Sequence, residues 1–436
     1  MARLIPRIAF GLHAHQPAGN FDHVFEKITE QSYLPFLRSY KDSNPPGKIS
    51  YHASGILLDW WKNNQTEMID LIGELVSEDK IEILGGGFYE PILPLIPPDD
   101  RKNQVIKLLD YTEALFGQRP EGVWLTERIW IPDLPETLAD IGTKYTIVDD
   151  FHFQMAGWDR SKLNGYYMTE YNGSKLGIFP ISQQLRYRIP FHDVDRLTEY
   201  LDENDEKQIL TMADDAEKFG SWPETYKWVY EDGWLERFFT ACKEEKFELS
   251  SLGSVFETEK PSGRCYLPTS SYEEMLEWAL PSERLIEYEK WKHDRPEDAE
   301  KFGSGGYFHN FLVKYEESNR LHKKMQWLSH QVDKENNKEA YEKLLAGQCN
   351  DSYWHGVFGG LCLPHLRGEA WKNLSAATER IESKAAFLKL EDYNCDGQEE
   401  LIYHNKDQFA VIDPLNGGEM VTWEILDANR NVLDTL

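Results

Sequence analysis

Four short apolar runs in this chain each end in groups that can move a proton or carry charge. LIPRIAFG (4–11) runs into LHAHQP, with His13 and His15, and KIEILG (80–85) into GGFYEP, with Glu90. GVWL (122–125) runs into TERIW, with Glu127, and QILTMA (208–213) into DDAEKFG, with Asp214, Asp215 and Glu217. Two carboxyl groups facing one cleft can divide the work of glycosidic cleavage. One stays ionised and attacks; the other gives a proton to the leaving oxygen. Glu127, beside Arg128, suits the ionised nucleophile. Asp214 and Asp215 are adjacent like charges, which disfavours ionising both, so one of them suits the acid; charge alone leaves open which. Taken singly, each piece has an ordinary explanation. An HxH pair usually sits in a loop or core, and a DDxE run usually opens a helix, where the dipole favours acids. Taken together, and flanked by Trp124, Trp130, Trp222 and Trp354, they point to a sugar site. Most of the 14 tryptophans are structural, and a few near the carboxylates would be platforms for sugar rings.

The elements that must position these groups follow from periodicity. Further strand candidates are KISYH (48–52), KYTIVD (144–149), LGIFPI (176–181) and FELSS (247–251). Amphipathic stretches such as 55–76 and 98–117 lie between them. Repeated β-then-α alternation implies a parallel sheet with helical crossovers, and this many repeats favour a barrel over an open sheet. In barrels the C-terminal strand ends converge on one mouth, where active sites sit. GGGF at 85–88 lacks the GxGxxG spacing, so no dinucleotide site is supported. From about Tyr272 the pattern is helical, and after about Leu390 it returns to strands. The expected organisation is therefore a catalytic (β/α) barrel over 1–270, a helical bundle over 271–390 and the start of a truncated β-sandwich over 391–436. The 46 residues of that last part are few for an independent sandwich. At the junction, DYNCDGQEEL places Asp392, Asn394, Asp396 and Glu400 around a turn at Gly397. This run reads either as a short loop for a structural calcium or as an acidic turn.

Composition narrows the partners. Forty-seven basic against 75 acidic side chains give a net charge of -28, which repels phosphate backbones and anionic membranes. Nucleic acid and membrane are thus not expected partners, although an acidic surface by itself only keeps a protein soluble. No apolar stretch is long enough to span a bilayer, and the start does not read as a secretory signal. The five cysteines are scattered, odd in number and without a CxxC pair, as in a reducing cytoplasm. Nothing in the sequence indicates an oligomeric state.

Five blocks, HAHQP, GGGFYEP, WLTERIW, DDAEKFGSW and NDSYWHGVFGG, resemble in order the signature regions of glycoside hydrolase family 57. The resemblance covers roughly residues 4–390 and is closest to the 4-α-glucanotransferases and related α-amylases. It implies an α/β fold: a distorted, incomplete (β/α) barrel with a C-terminal helical bundle. It implies retaining chemistry on α-glucans and maltooligosaccharides, with no metal or organic cofactor in the reaction. It also implies Glu127 as nucleophile and the second aspartate, Asp215, as general acid/base. His13, His15, Glu90, Trp124, Glu217, Trp222, Asp351 and Trp354 fall where the family contacts substrate. The chain departs from its closest relatives at Ala216, where they carry glycine; a positive φ there would strain alanine. It also carries only the first strands of the large C-terminal β-sandwich of the glucanotransferases, and the exposed edges and apolar face of a partial sandwich favour aggregation. Two other readings compete. HxH at a first strand end also begins zinc sites in barrels, with His52, His152 and His192 near later strand ends, so a metal-dependent hydrolase is one. A non-catalytic glucan-binding protein is the other.

Overall fold

The computed structural model describes residues 5–204, 209–381 and 386–434. Its first sheet holds β1 (Arg7–Ala14), β2 (Ile49–Ala53), β3 (Ile81–Leu84), β4 (Gly122–Val123), β5 (Tyr145–Asp149), β6 (Tyr167–Tyr171), β7 (Ser174–Ile181), β8 (Ile209–Asp215), β9 (Glu248–Ser250) and β10 (Gly263–Arg264). All eight strands expected from sequence form. Parallel ladders join β8 to β1, β1 to β2, β2 to β3, β4 to β5 and β5 to β7. The circuit is thin at two seams. An isolated Gly85–Val123 bridge links β3 to β4, and one register pair, Ile181–Thr211, links β7 to β8. A third distortion sits at β1. Arg7–Ala9 pairs with β9, whereas Gly11–Ala14 pairs with β2, so β9 wedges in below β2. The result is a distorted, incomplete barrel and not a regular ring.

Strand alternation decides what faces inward. Ala9, Leu84, Tyr145, Ile147, Phe179 and Ala213 form a small inner cluster. Ile8, Phe10, Leu12, Tyr51 and Met212 pack outward against the covering helices. By the same parity His13, His52, Asp149 and Asp215 point into the mouth, whereas Asp214 follows Met212 to the outer side. The sequence did not anticipate β6 or β10. β6 pairs antiparallel with β7 through Asn172–Gly173, both at positive φ, a two-residue hairpin turn.

The helical stretch expected after Tyr272 is present, with the helices Glu316–Gln331, Lys338–Ala346 and Pro364–Arg380 packed on one another. One continuous core carries barrel residues Val123, Leu125 and Trp130, helical residues Met275, Leu328 and Leu374, and Ile402 and Phe409 of the second sheet. That second sheet is antiparallel, in the order β11 (Phe387–Glu391), β12 (Glu400–His404), β13 (Gln408–Asp413), β14 (Glu419–Ile425) and β15 (Arg430–Asn431). One face packs on the helices, with Phe409 against Trp327. Leu388, Leu390, Leu415 and Trp423 stay exposed.

Between β11 and β12 the run DYNCDGQEEL forms a compact turn with Gly397 at φ 90°. Its side chains accept from backbone amides. Asp392 takes the N–H groups of Asp396 and Gly397, each at 3.1 Å, and Asn394 takes that of Asp396 at 2.8 Å. Glu400 takes those of Tyr393 and Asn394 at 2.8 and 3.2 Å.

A buried ion pair fastens the second sheet to the bundle. Lys324 and Glu424 are both fully buried, with Nζ 2.8 Å from Oε1, and Ser375 Oγ donates to Glu424 Oε2 at 2.7 Å. Lys324 Nζ also lies 3.3 Å from the centre of the Phe409 ring. Burial pulls the Lys324 ammonium down to about 8, against the opposing pull of Glu424. Lys324→Met should leave an uncompensated buried carboxylate and cost roughly 3–5 kcal/mol in urea unfolding. Adding Glu424→Gln, which keeps the acceptor for Ser375, should recover most of that loss.

Candidate active site

The seven strands of the barrel circuit all send chemistry to one end. β1 delivers His13 and His15, β2 delivers His52, the turn after β3 Glu90, the turn after β4 Glu127, β5 Asp149, the helix after β7 Arg186, and β8 Asp214 and Asp215. The helical part closes over this mouth with Tyr272, Asp351 and Trp354.

Beneath the two candidate catalytic carboxyls runs a buried chain of charges. Arg128 Nε donates to Asp149 Oδ2 at 2.9 Å, and Arg186 Nη1 to Asp149 Oδ1 at 2.7 Å. Arg186 Nε continues to Asp214 Oδ2 at 3.0 Å, which Lys218 Nζ also holds. Although burial opposes its ionisation, Arg186 and Lys218 hold the Asp214 carboxyl well below the usual carboxylate range. Asp215 is pushed the other way, by burial and by the fixed charge of Asp214. Strand parity thus separates the pair that sequence left undivided: Asp214 is paired with two cations, and the proton affinity of Asp215 is raised.

Glu127 differs from the sequence expectation of a carboxylate kept ionised by Arg128. Burial pushes it up to about 7; Arg128 pulls it down, and Asp215 pushes it further up. Arg128 gives its hydrogen bond to Asp149. Tyr272 Oη donates to Glu127 Oε2 at 3.0 Å, and Ser271 Oγ donates to the Glu127 carbonyl at 2.7 Å. The backbone here is strained. Glu127 and Arg128 have φ of 53° and 48°, and Glu90 has 52°. Such left-handed, non-glycine residues cluster at functional sites. Ala216 is relaxed: it follows Asp215 into a short helical turn and is not at positive φ, so its lack of a glycine is harmless.

The remaining expected site residues divide by depth. His13 lies on the face of Trp124, at 4.4 Å and 6°, and meets His52 edge to edge, with ring centres 4.9 Å apart. Trp124 is itself buried and carries His13 on its face in place of an open platform. His13 Nδ1 meets His52 Nδ1 at 2.7 Å. Burial drives both imidazoles to the neutral form, with His52 down at about 3. His15 Nε2 lies 3.2 Å from Asp351 Oδ2 and its Nδ1 2.9 Å from Ser54 Oγ. Its burial is outweighed by Asp351, which holds the imidazolium well above the ordinary range. Glu217 accepts from Tyr33 Oη, and burial together with Asp215 pushes it up to about 7. Glu90 is 1% exposed and accepts from Thr126 Oγ1 at 3.1 Å. Burial pushes Glu90 up to about 8. The Asn350 side chain donates to the Glu90 carbonyl at 2.9 Å and accepts from Trp354 Nε1 at 2.9 Å, which ties the helical part to the barrel mouth. Trp222 is the open aromatic, with Phe191 at 5.8 Å and exposed Phe358 at 6.0 Å. Trp130 is structural: it is buried and donates to the Leu267 carbonyl at 3.1 Å.

Of the three further histidines weighed as zinc ligands, only His52 joins these groups. His152 gives its ring nitrogens to the carbonyls of Arg128 and Asp149, at 2.8 and 3.1 Å. His192 takes no part in the mouth; its carbonyl accepts from Trp234. Sequence reasoning missed Tyr33, Asp149, Arg186 and Tyr272. Asp149 carried a usable signal, since it ends KYTIVD as Glu127 follows GVWL. Tyr33 and Tyr272 carried none.

The model of glycosyl hydrolase family 57 matches residues 9–268. The chain belongs to glycosyl hydrolase family 57. Models of the middle and C-terminal domains of α-amylase/4-α-glucanotransferase match residues 306–381 and 392–436. An α-amylase of Dictyoglomus thermophilum is 41% identical over 98% of the chain. A 4-α-glucanotransferase of Thermococcus kodakarensis is 43% identical over 94% of it. The chain spans 64% and 63% of the lengths of these two relatives. The crystal structure of 4-α-glucanotransferase from Thermococcus litoralis superposes with a TM-score of 0.94 at 40% identity, over 99% of this chain and 68% of that one. This family 57 chain thus shares both fold and sequence with proteins of both names.

Glu90 gives a pH test with a definite sign. Its folded proton is held to about 8, whereas the ordinary value is 4.5. Across that window the native state binds more protons than the unfolded chain, so this group lowers stability as pH rises. Glu90→Gln removes the effect. In thermal melts the variant should gain on the parent between pH 5 and pH 8, by on the order of 1–3 kcal/mol.

Proposed function

We propose that this chain is a retaining 4-α-glucanotransferase acting on α-1,4-glucans and maltooligosaccharides. The observation that carries the reading is the division of labour at the mouth: Glu127 and Asp215 are charge-coupled, while Asp214 is fixed as an anion by Arg186 and Lys218. A pair so coupled favours a single proton between its members. With that proton on Asp215, its carboxyl protonates the glycosidic oxygen as Glu127 attacks the anomeric carbon. The C–O bond to the leaving glucan breaks and a glycosyl ester forms on Glu127. Tyr272 donates to Oε2 of Glu127, which leaves Oε1 for the attack. An incoming sugar hydroxyl then gives its proton to Asp215 and displaces Glu127, which restores both groups. His15, Glu217 and Asp351 supply polar contacts for the sugar, and Trp222 an aromatic one.

A second reading, α-amylase, has support of its own, because relatives of equal similarity carry that name. With water as acceptor the same two carboxyls hydrolyse the same bond. The apolar rim of Trp222, Phe191 and exposed Phe358 supports transfer, since it disfavours water beside the acceptor. Five free thiols and the acidic surface support a cytoplasmic setting, and among the described residues no helix is long and apolar enough to cross a membrane. A structural calcium at Asp392, Asn394, Asp396 and Glu400 is a separate proposal, supported by the spacing of oxygen-bearing side chains around the Gly397 turn; a melting temperature unchanged by a calcium chelator would sink it.

Maltotriose decides the product class. Transfer yields glucose together with chains longer than the substrate, and hydrolysis yields shorter products alone. Binding without turnover would point to the non-catalytic reading. Glu127→Gln should remove nearly all turnover, and Asp215→Asn should lower it about 10²- to 10⁴-fold, as loss of a general acid does. Full activity in Glu127→Gln would exclude it as nucleophile. Phe358→Ala should raise the share of hydrolysis over transfer, read from the same product ratio.

A further inference from the structure

Cys349 takes no part in the acid–base chemistry, yet its thiol reaches the mouth. Its Sγ lies 3.4 Å from Asp351 Oδ2, the same oxygen that His15 Nε2 approaches at 3.2 Å. All three atoms fall within 4.8 Å of one another. Hydrogen bonds alone allow such distances, but a tetrahedral metal would require them. Zinc holds nitrogen and oxygen at about 2.0 Å and thiolate sulfur at about 2.3 Å, which sets the N···O edge at about 3.3 Å and the S···O edge at about 3.5 Å. Both edges are already in place.

Two further features fit a metal. His15 Nδ1 is held by Ser54 Oγ at 2.9 Å, so the ring is oriented through the nitrogen that a metal would not use. Cys349 is buried, whereas the side chains of His15 and Asp351 are 12% and 24% exposed, which gives an ion a way in from the cleft. The neighbouring trio of His13, His52 and Glu90 is less suited. It has no sulfur, and its side chains are 10%, 0% and 1% exposed, which leaves a thiophilic ion less reason and less room to enter.

We propose that His15, Cys349 and Asp351 form an inhibitory site for zinc or a similar thiophilic divalent cation. On binding, the Cys349 thiol proton and the His15 Nε2 proton both leave to solvent, and Sγ, Nε2 and a carboxylate oxygen ligate the ion. Sulfur in the set selects zinc or cobalt over magnesium and calcium. Because His15 and Asp351 then face the ion, metal and glucan exclude each other. That exclusion rests on the glucan reading of the mouth; the metal site itself does not.

The test uses the whole chain after metal stripping, titrated with Co²⁺ and then Zn²⁺. The expected result is one bound Co²⁺ with a near-ultraviolet thiolate-to-metal charge-transfer band, displaced by one equivalent of Zn²⁺. Zn²⁺ should also suppress maltotriose turnover, reversibly with a chelator, and maltotriose should weaken cobalt binding. Cys349→Ser and Cys349→Ala, both checked for an unchanged melting temperature, should lose the band. They should keep metal-free turnover within about twofold and weaken zinc inhibition about tenfold or more, as loss of a ligand does. A parent without the thiolate band, or a band that survives in both variants, overturns the site. A Cys349-dependent band in a protein that maltotriose does not compete with upholds the metal site and refutes the glucan reading instead.

Discussion

The barrel mouth depends on one buried chain of alternating charges: Arg128, Asp149, Arg186, Asp214 and Lys218. Its side chains are at most 11% exposed, and three cations against two carboxylates leave one positive charge in excess beneath Glu127 and Asp215. Taking five charges out of water is expensive, and a chain of this kind persists only when each member has partners. It fixes Arg128 under Glu127 and so helps to keep the strained φ of both residues. It also fixes Asp214 as an anion, which pushes the Asp215 proton affinity up. The proton affinities of Glu127 and Asp215 are thus set in part by charges that lie beneath them.

The second constraint is that the barrel alone does not complete the site. Tyr272 on Glu127, Asn350 on the Glu90 carbonyl and Asp351 on His15 all come from the helical part. These contacts bridge between 145 and 336 positions of sequence. The shared apolar core makes such bridges stable, since Trp130, Met275 and Leu328 belong to one cluster with Phe409 of the second sheet. That sheet is fastened in turn by Lys324 and Glu424. Its packed inner face belongs to the fold of the helical part, whatever lies against Leu388 and Leu390 on the outer one.

Polar groups in the mouth show how burial sets chemistry. Glu90, Glu127 and Glu217 all have raised proton affinity, with desolvation the leading cause in each. His13 and His52 are neutral for the same reason, whereas His15, with a carboxylate at its Nε2, is not. The histidines of one wall therefore differ in charge: His13 and His52 are neutral, and only the one beside Asp351 presents a cation to a ligand.

What the sequence alone determined was local. Apolar runs followed by His13, Glu90, Glu127 and Asp215 placed the strands and the mouth, because alternation and strand length are short-range properties. The Asn172–Gly173 hairpin was equally legible and was overlooked, as was Asp149 at the end of KYTIVD. The choice of Asp215 over Asp214 was implied only by family resemblance; what the fold adds is that the period of two along β8 sends one side chain inward and the other toward Arg186 and Lys218. The raised proton affinity of Glu127, the burial of Trp124 beneath His13 and the meeting of Cys349 with His15 belonged to tertiary structure alone. Each depends on which distant segment removes water from a side chain, and that is decided by packing across hundreds of residues, not by neighbours in the chain.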